Sequence, residues 1–170
     1  MTEELVQLLN GNNETIGVME KMQAHREGAL HRAVSVFVFN SKGEMLLQQR
    51  ALGKYHSPGL WSNACCTHPR PGEKPLGAAE RRLREEMGIA CNLEYQFDFL
   101  YRAELGNGLT EHEYDHVYYG YTNEKPLPDN EEVAAWTYLS MAELDNRLQQ
   151  DPGKFTIWFR LLFEQLKHRK

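Results

Sequence analysis

The sequence predicts an α/β (α+β) fold in which a mixed central sheet lies between layers of helix. Three observations carry this. Ala33 to Phe39 is a continuous apolar run of strand length, followed by the turn residues Ser41-Lys42-Gly43 and a returning strand from Met45 to Gln49. Leu76, Ala79, Leu83 and Met87 recur at helical spacing and Gly88 follows them, the pattern of an amphipathic helix with a glycine stop. Strand-like and helix-like segments interleave without a glycine-rich dinucleotide loop, which suits a mixed sheet with helices packed on it.

Taken in order, Leu5 to Leu9 alternates weakly and runs into the turn Asn10-Gly11-Asn12-Asn13 before Thr15 to Val18, a short hairpin. The Ala33 and Met45 strands come next, and then Gly72 and Pro75 punctuate the way into the helix from Leu76 to Met87. Further strands are expected from Leu93 to Arg102, from Thr110 to Thr122 and from Val133 to Leu139. Helices from Met141 to Gln149 and from Phe155 to Lys167 close the chain, separated by Asp151-Pro152-Gly153. There is no internal repeat, linker or low-complexity segment, so residues 1–170 are read as a single domain.

A chain of 170 residues, 41% of them hydrophobic, can bury a sizeable core. A net charge of −5 argues against broad nucleic-acid or anionic-membrane binding, so basic side chains in a site must act locally against the overall field. A small anionic partner remains compatible. The N-terminus is acidic where a signal peptide would be basic, and no apolar run approaches the roughly 20 residues of a membrane span, so a cytoplasmic protein is expected. A monomer or weak homo-oligomer is expected as well, although no pattern in the sequence fixes the oligomeric state. Three cysteines, two of them vicinal, suggest free thiols in a reducing compartment rather than a disulfide framework.

Several side-chain patterns carry chemistry. His112-Glu113-Tyr114-Asp115-His116 is a literal H-E-x-x-H, the zinc metalloprotease motif, which works only on a helix. Here Gly106-Asn107-Gly108 precedes it and the aromatic run Val117 to Thr122 follows, which favours a strand. In a strand Glu111 and Glu113 point one way and His112 and His116 the other. His25 and His31 would lie on different faces of a straight helix, whereas a loop entering the strand at Ala33 can bring them together. Of the adjacent Cys65 and Cys66, only one can face a cavity from an extended segment, and His68 shares the side of Cys66. For Cys65 and Cys91 the bland reading, a small buried hydrophobe, is preferred. Arg82 and Glu86 are neighbours on one helix face, whose bland reading is a surface ion pair worth about 0.3–0.5 kcal/mol. Trp158, among Phe155, Ile157, Phe159, Leu161 and Leu162, reads by default as helix core.

The stretch from Cys66 to Ile89 resembles a Nudix box: Glu73, Arg81, Leu83, Glu85, Glu86, Gly88 and Ile89 fall on that pattern. Thr67 stands where its first glycine belongs, and Arg82 where the glutamate after Arg81 belongs. Losing that carboxylate should weaken hydrolysis, and gaining a guanidinium should strengthen phosphate binding. Cys66-Thr67-His68-Pro69, with Arg50-Ala51-Leu52, Lys54 and Pro58-Gly59-Leu60-Trp61-Ser62-Asn63 upstream, resembles the type I isopentenyl diphosphate isomerases, a family with the Nudix-like α/β/α sandwich. Tyr101-Arg102-Ala103, Glu111-His112-Glu113, His25, His31 and Trp158 extend the likeness along the whole chain.

The resemblance implies a reversible isomerisation of isopentenyl diphosphate to dimethylallyl diphosphate. It implies Cys66 and Glu113 as proton carriers with Tyr101 beside Glu113, and His25, His31, His68, Glu111 and Glu113 as ligands of a divalent ion, Zn2+, Mn2+ or Mg2+. Glu86 would hold Mg2+ against the substrate's diphosphate, while Lys21, Arg50, Lys54 and Arg82 neutralise its oxygens and Trp61 and Trp158 contribute to the pocket. A Nudix hydrolase of a diphosphate substrate is the main alternative; a zinc peptidase on His112 and His116 and a non-enzymatic binding module are the others.

Overall fold

The computed structural model describes residues 4–169. The first hairpin pairs β1 (Leu5–Leu9) with β2 (Thr15–Glu20), and β2 leads directly into a short helix α1 (Lys21–Glu27) that the sequence reading did not anticipate. Glu20 caps α1 by accepting from the backbone N–H groups of Met22 and Gln23, and left-handed Gly28 closes it. Then follow β3 (His31–Phe39), β4 (Met45–Arg50), the short strands β5 (Trp61–Ser62) and β6 (Cys65–Thr67), helix α2 (Pro75–Met87) and the long hairpin β7 (Leu93–Gly106) and β8 (Leu109–Tyr121). After β9 (Val133–Leu139), helix α3 (Met141–Gln150), a 3-10 turn (Pro152–Lys154) and helix α4 (Ile157–Lys167) complete the chain.

The strands form one nine-stranded mixed sheet with β3 at its centre. β3 runs parallel to β8 from His31 opposite Glu113 to Phe39 opposite Tyr121, and antiparallel to β6 with Ser35 opposite Cys66. Because side chains alternate along a strand, Val34, Val36 and Val38 pack towards α2 with Ala78, Ala79, Leu83 and Met87. Phe37 packs on the other side with Trp158, Phe159, Leu162 and Phe163 of α4. The sheet is thus covered on both faces, and the odd-numbered residues of β3 share the α4 side with whatever β6 and β8 present there.

Three details differ from the sequence reading. Leu76 is exposed rather than part of the buried stripe of α2, because it lies in the first turn after Pro75, and Ala78 takes its place against the sheet. β3 begins at His31, two residues earlier than expected, since pairing with β1 and β8 reaches that far. The last helix starts at Ile157 because Thr156 caps it, and Phe155 instead bridges to Trp61.

Gly88 joins α2 to the segment that precedes β9. It has φ 65°, and a Cβ there would lie 2.7 Å from the carbonyl oxygen of Leu127, whose own N–H donates to Met87. Gly88→Ala is therefore expected to lower the unfolding free energy by about 2 kcal/mol or more. Gly11→Ala, with open space around it, should stay within about 0.5 kcal/mol of the parent. Urea melts of the two variants check this; equal midpoints would contradict it.

Candidate functional site

β8 decides the layout. Being a strand through residues 109–121, it turns Glu111, Glu113 and Asp115 to the α4 side, all buried, and His112 and His116 to the other side. This corrects the H-E-x-x-H possibility: His116 binds Asp98 at 2.7 Å and meets the Arg32 guanidinium at 2.7 Å, away from both glutamates' partners. Beside Glu113 the parallel register sets His31, and β6 brings His68 from the far side of β3, its Nε2 2.8 Å from Glu113 Oε2. His25 arrives from α1, not from the loop that its spacing suggested.

The donor atoms of His25, His31, His68, Glu111 and Glu113 all lie within 4.8 Å of one another. Two imidazoles are fixed by main-chain carbonyls: Nδ1–H of His25 donates to Lys21 and Nδ1–H of His31 to Ala29, so each Nε2 lone pair faces the cluster. His25 Nε2 and Glu111 Oε2 sit 3.4 Å apart, buried, and neither has a hydrogen-bond partner. Orphaned buried polar atoms are costly, and two facing each other inside a set of three imidazoles and two carboxylates leave the arrangement suited to a divalent cation.

Electrostatics agree. Burial holds the His25 imidazolium down to about 4 and also lowers His68, so both are neutral and able to ligate. For His31 burial acts downwards too, but its bond to Glu113 outweighs it and raises the ring. Burial also opposes the charge on Glu113, yet hydrogen bonds from Glu111, His31 and His68 pull it well below the usual range. Glu111, buried and facing that charge, is pushed well above it. Two carboxylates this close repel, so ionisation of one opposes ionisation of the other.

Above the cluster opens a cavity of about 810 Å³. Cys66, His68, Glu111 and Glu113 line it together with Lys21, Arg50, Lys54, Arg82, Glu86 and Trp158. Cys66 is on the cavity side, as its step-two relation to His68 requires, while Cys65 is buried among α2 residues. The Cys66 thiol lies 3.5 Å from Ser35 Oγ and donates to Asn63 Oδ1 at 3.4 Å; burial, with the Asp115 charge, pushes it up and keeps it protonated. Tyr101 stands behind the cavity and donates its hydroxyl to Glu113 Oε1 at 2.5 Å. Glu73 instead locks Arg81 through two bonds and has no place in the cavity.

Of the cavity cations Lys21, Arg50, Lys54 and Arg82, all but Arg50 are held by a carboxylate among the described residues. Lys21 pairs with Glu4 and Lys54 with Glu132, and Arg82 pairs with Glu86 at 2.9 Å and Glu132 at 3.0 Å. Arg82 and Glu86 do form the helical ion pair, but on the cavity wall rather than in open solvent. Arg50 lies 5.2 Å from the Trp158 ring centre; its Nε and the Trp158 Nε1 are buried without partners. Trp61, paired through β5 with β4, is half-buried against the α4 cluster that also holds Cys66 and Trp158.

Sequence reasoning missed Tyr55, His56 and Asp115. Tyr55 and His56 occupy a loop without periodicity, and His56 packs edge-on to Trp158 with its Nε2 3.5 Å from Glu111. Asp115 was legible, since it shares the parity of Glu111 and Glu113; it accepts from Ser35 Oγ at 2.6 Å.

The NUDIX domain pattern matches residues 29–159. The chain is 51% identical over 161 residues to the isopentenyl-diphosphate Delta-isomerase of Pectobacterium atrosepticum, covering 95% of this chain and 90% of that one. It is 48% identical to isopentenyl-diphosphate Delta-isomerase 1 of Aromatoleum aromaticum, covering 96% and 93%. In fold it is similar to a crystal structure from Deinococcus radiodurans, with a TM-score of 0.73 over 86% of this chain and 90% of that one at 20% identity.

The cluster makes a direct prediction about metal content. His68→Ala and Glu113→Gln should lose bound divalent metal, while His116→Ala keeps it, as read by elemental analysis of the purified proteins. Metal retained in His68→Ala but lost from His116→Ala would contradict the five-ligand arrangement.

Proposed function

The chain belongs to the isopentenyl-diphosphate isomerases of the Nudix superfamily, and we propose that it moves the double bond of isopentenyl diphosphate with Cys66 and Glu113 as its two proton carriers. The observation that carries this reading is the cavity itself, lined at once by a thiol, by Glu111 and Glu113 and by four cationic side chains. The diphosphate lies against Lys21, Arg50, Lys54 and Arg82, of which Arg50 has no carboxylate partner among the described residues. The short hydrocarbon then reaches Cys66 and Glu113.

The reaction adds a proton to the terminal alkene carbon and removes one from C2, leaving positive charge on the branched carbon in between. An unactivated alkene is a poor base, so the proton donor must act where water is excluded and the cation is stabilised. Glu111 and Glu113 are both buried, and the Trp158 ring, which already faces a guanidinium, supplies a π-surface to the cation. Burial pushes the Cys66 thiol towards its neutral form, while hydrogen bonds to Glu113 favour its carboxylate form. A turnover that gives one proton and takes another needs such a pair, and the reverse reaction begins from its exchange. Tyr101, bonded to Glu113, orients that carboxylate and can pass its proton on. A divalent ion, Zn2+, Mn2+ or Mg2+, held by the three histidines with Glu111 and Glu113 would fix those carboxylates and sharpen their acidity, and Mg2+ at Glu86 would offset diphosphate charge.

A diphosphate hydrolase is the competing reading within the same superfamily. It is disfavoured by Arg82, whose guanidinium stands where the box would place a metal-binding carboxylate, and by the Cys66 thiol on the cavity, for which hydrolysis has no use. No helix among the described residues is long and apolar enough to cross a membrane. We take the enzyme to be cytoplasmic and to act on a small prenyl diphosphate as a monomer or weak homo-oligomer.

The two cysteines test the proposal. Cys66→Ala should reduce isomerase turnover by about 10³-fold or more, the scale of a lost acid–base group. Cys65→Ala should keep most of its activity. Equal loss in both variants, measured as formation of the acid-labile allylic product, would contradict the assignment.

A further inference from the structure

The side chains on the other face of β7 and β8 also bear on the cluster. His112 lies between two ligands, Glu111 and Glu113, but points away from them, and its Nδ1–H donates to the carbonyl oxygen of Gly28 at 3.0 Å. Arg102, its cross-strand partner on β7, packs its guanidinium against the same residue, 3.3 Å from where a Cβ of Gly28 would stand. Gly28 has φ 67° and ends α1 by donating its N–H to Ala24. Two side chains from neighbouring strands therefore converge on one glycine.

That glycine occupies the turn joining two ligands. His25 is on α1 before it and His31 opens β3 after it, and the carbonyl of Ala29, the next residue, accepts from Nδ1 of His31. α1 is too short to hold its own place, since an isolated helix of about two turns does not persist in water. Its C-terminal end must be fastened from outside, and the Gly28 carbonyl is bound by His112. One strand thus supplies two carboxylate ligands from one face and, from the other, the tie that sets where His25 stands relative to them.

We propose that His112 is a positioning residue for the His25/His31/His68/Glu111/Glu113 cluster, acting through its hydrogen bond to Gly28. This rests on the cluster being a metal site. Outer-shell hydrogen bonds that orient ligands typically contribute about 10- to 100-fold in metal affinity. The bond needs only a donor at the Nδ1 position, which an asparagine amide can supply.

Metal-stripped protein titrated with zinc alone, in competition with a chromophoric chelator, tests it. His112→Ala should raise the zinc dissociation constant about 10- to 100-fold, and His112→Asn should recover most of that loss. Zinc affinity in His112→Ala equal to that of the parent would overturn the proposal. So would His112→Asn binding no better than His112→Ala, since the hydrogen bond would then not be the cause. Failure of the parent to bind zinc, or unchanged affinity in His68→Ala, would remove the cluster itself and the proposal with it, whereas failure at His112 alone leaves the cluster standing.

Discussion

The constraint on which the rest depends is the two-residue period of β8 in register with β3. Parallel pairing of His31 with Glu113 fixes one imidazole against one carboxylate, and alternation then places Glu111 and Asp115 beside it and excludes His112 and His116. A slip of one residue would exchange those sets. The glutamates would face the Arg32 side of the sheet, and His112 and His116 would meet His25, His31 and His68 with no carboxylate of β8 left among them. The register is secured because the same alternation also buries Val117 against α4, so that slippage would expose part of the core.

Around this frame the charges are balanced by neighbours rather than by solvent. Buried carboxylates and imidazoles hold one another, and Lys21, Lys54 and Arg82 are held by Glu4, Glu86 and Glu132. Burying such groups costs more than hydrophobic packing would, so their persistence is explained by function better than by stability. Arg82 illustrates the point: a glutamate there would face Glu85, Glu86 and Glu132 across short distances, an arrangement that only cations could sustain, whereas the guanidinium binds all three.

Much of this was legible in the sequence. β9 has the bounds read from its pattern, α2 ends at Gly88 as expected, and period two alone separated Glu111 and Glu113 from the H-E-x-x-H histidines and Cys66 from Cys65. The ligand set itself came from resemblance, because no local pattern joins His25 to His68. What stayed hidden was held by tertiary contacts. α1 has seven residues and little apolar periodicity, and it exists through the Glu20 cap and the Gly28 terminus. β5 and β6 are too short for any period to register. Trp61 was assigned to the pocket by its motif, but only the fold shows that it packs against the α4 cluster.

The central claim is that this cavity shifts a double bond by giving one proton and taking another, leaving the diphosphate intact. Isopentenyl diphosphate incubated with the enzyme and divalent metal in D2O, followed by NMR, tests it most directly. The account predicts dimethylallyl diphosphate carrying solvent deuterium in the new methyl group, because the donor group exchanges with solvent between turnovers. Release of phosphate with the double bond unmoved would contradict it.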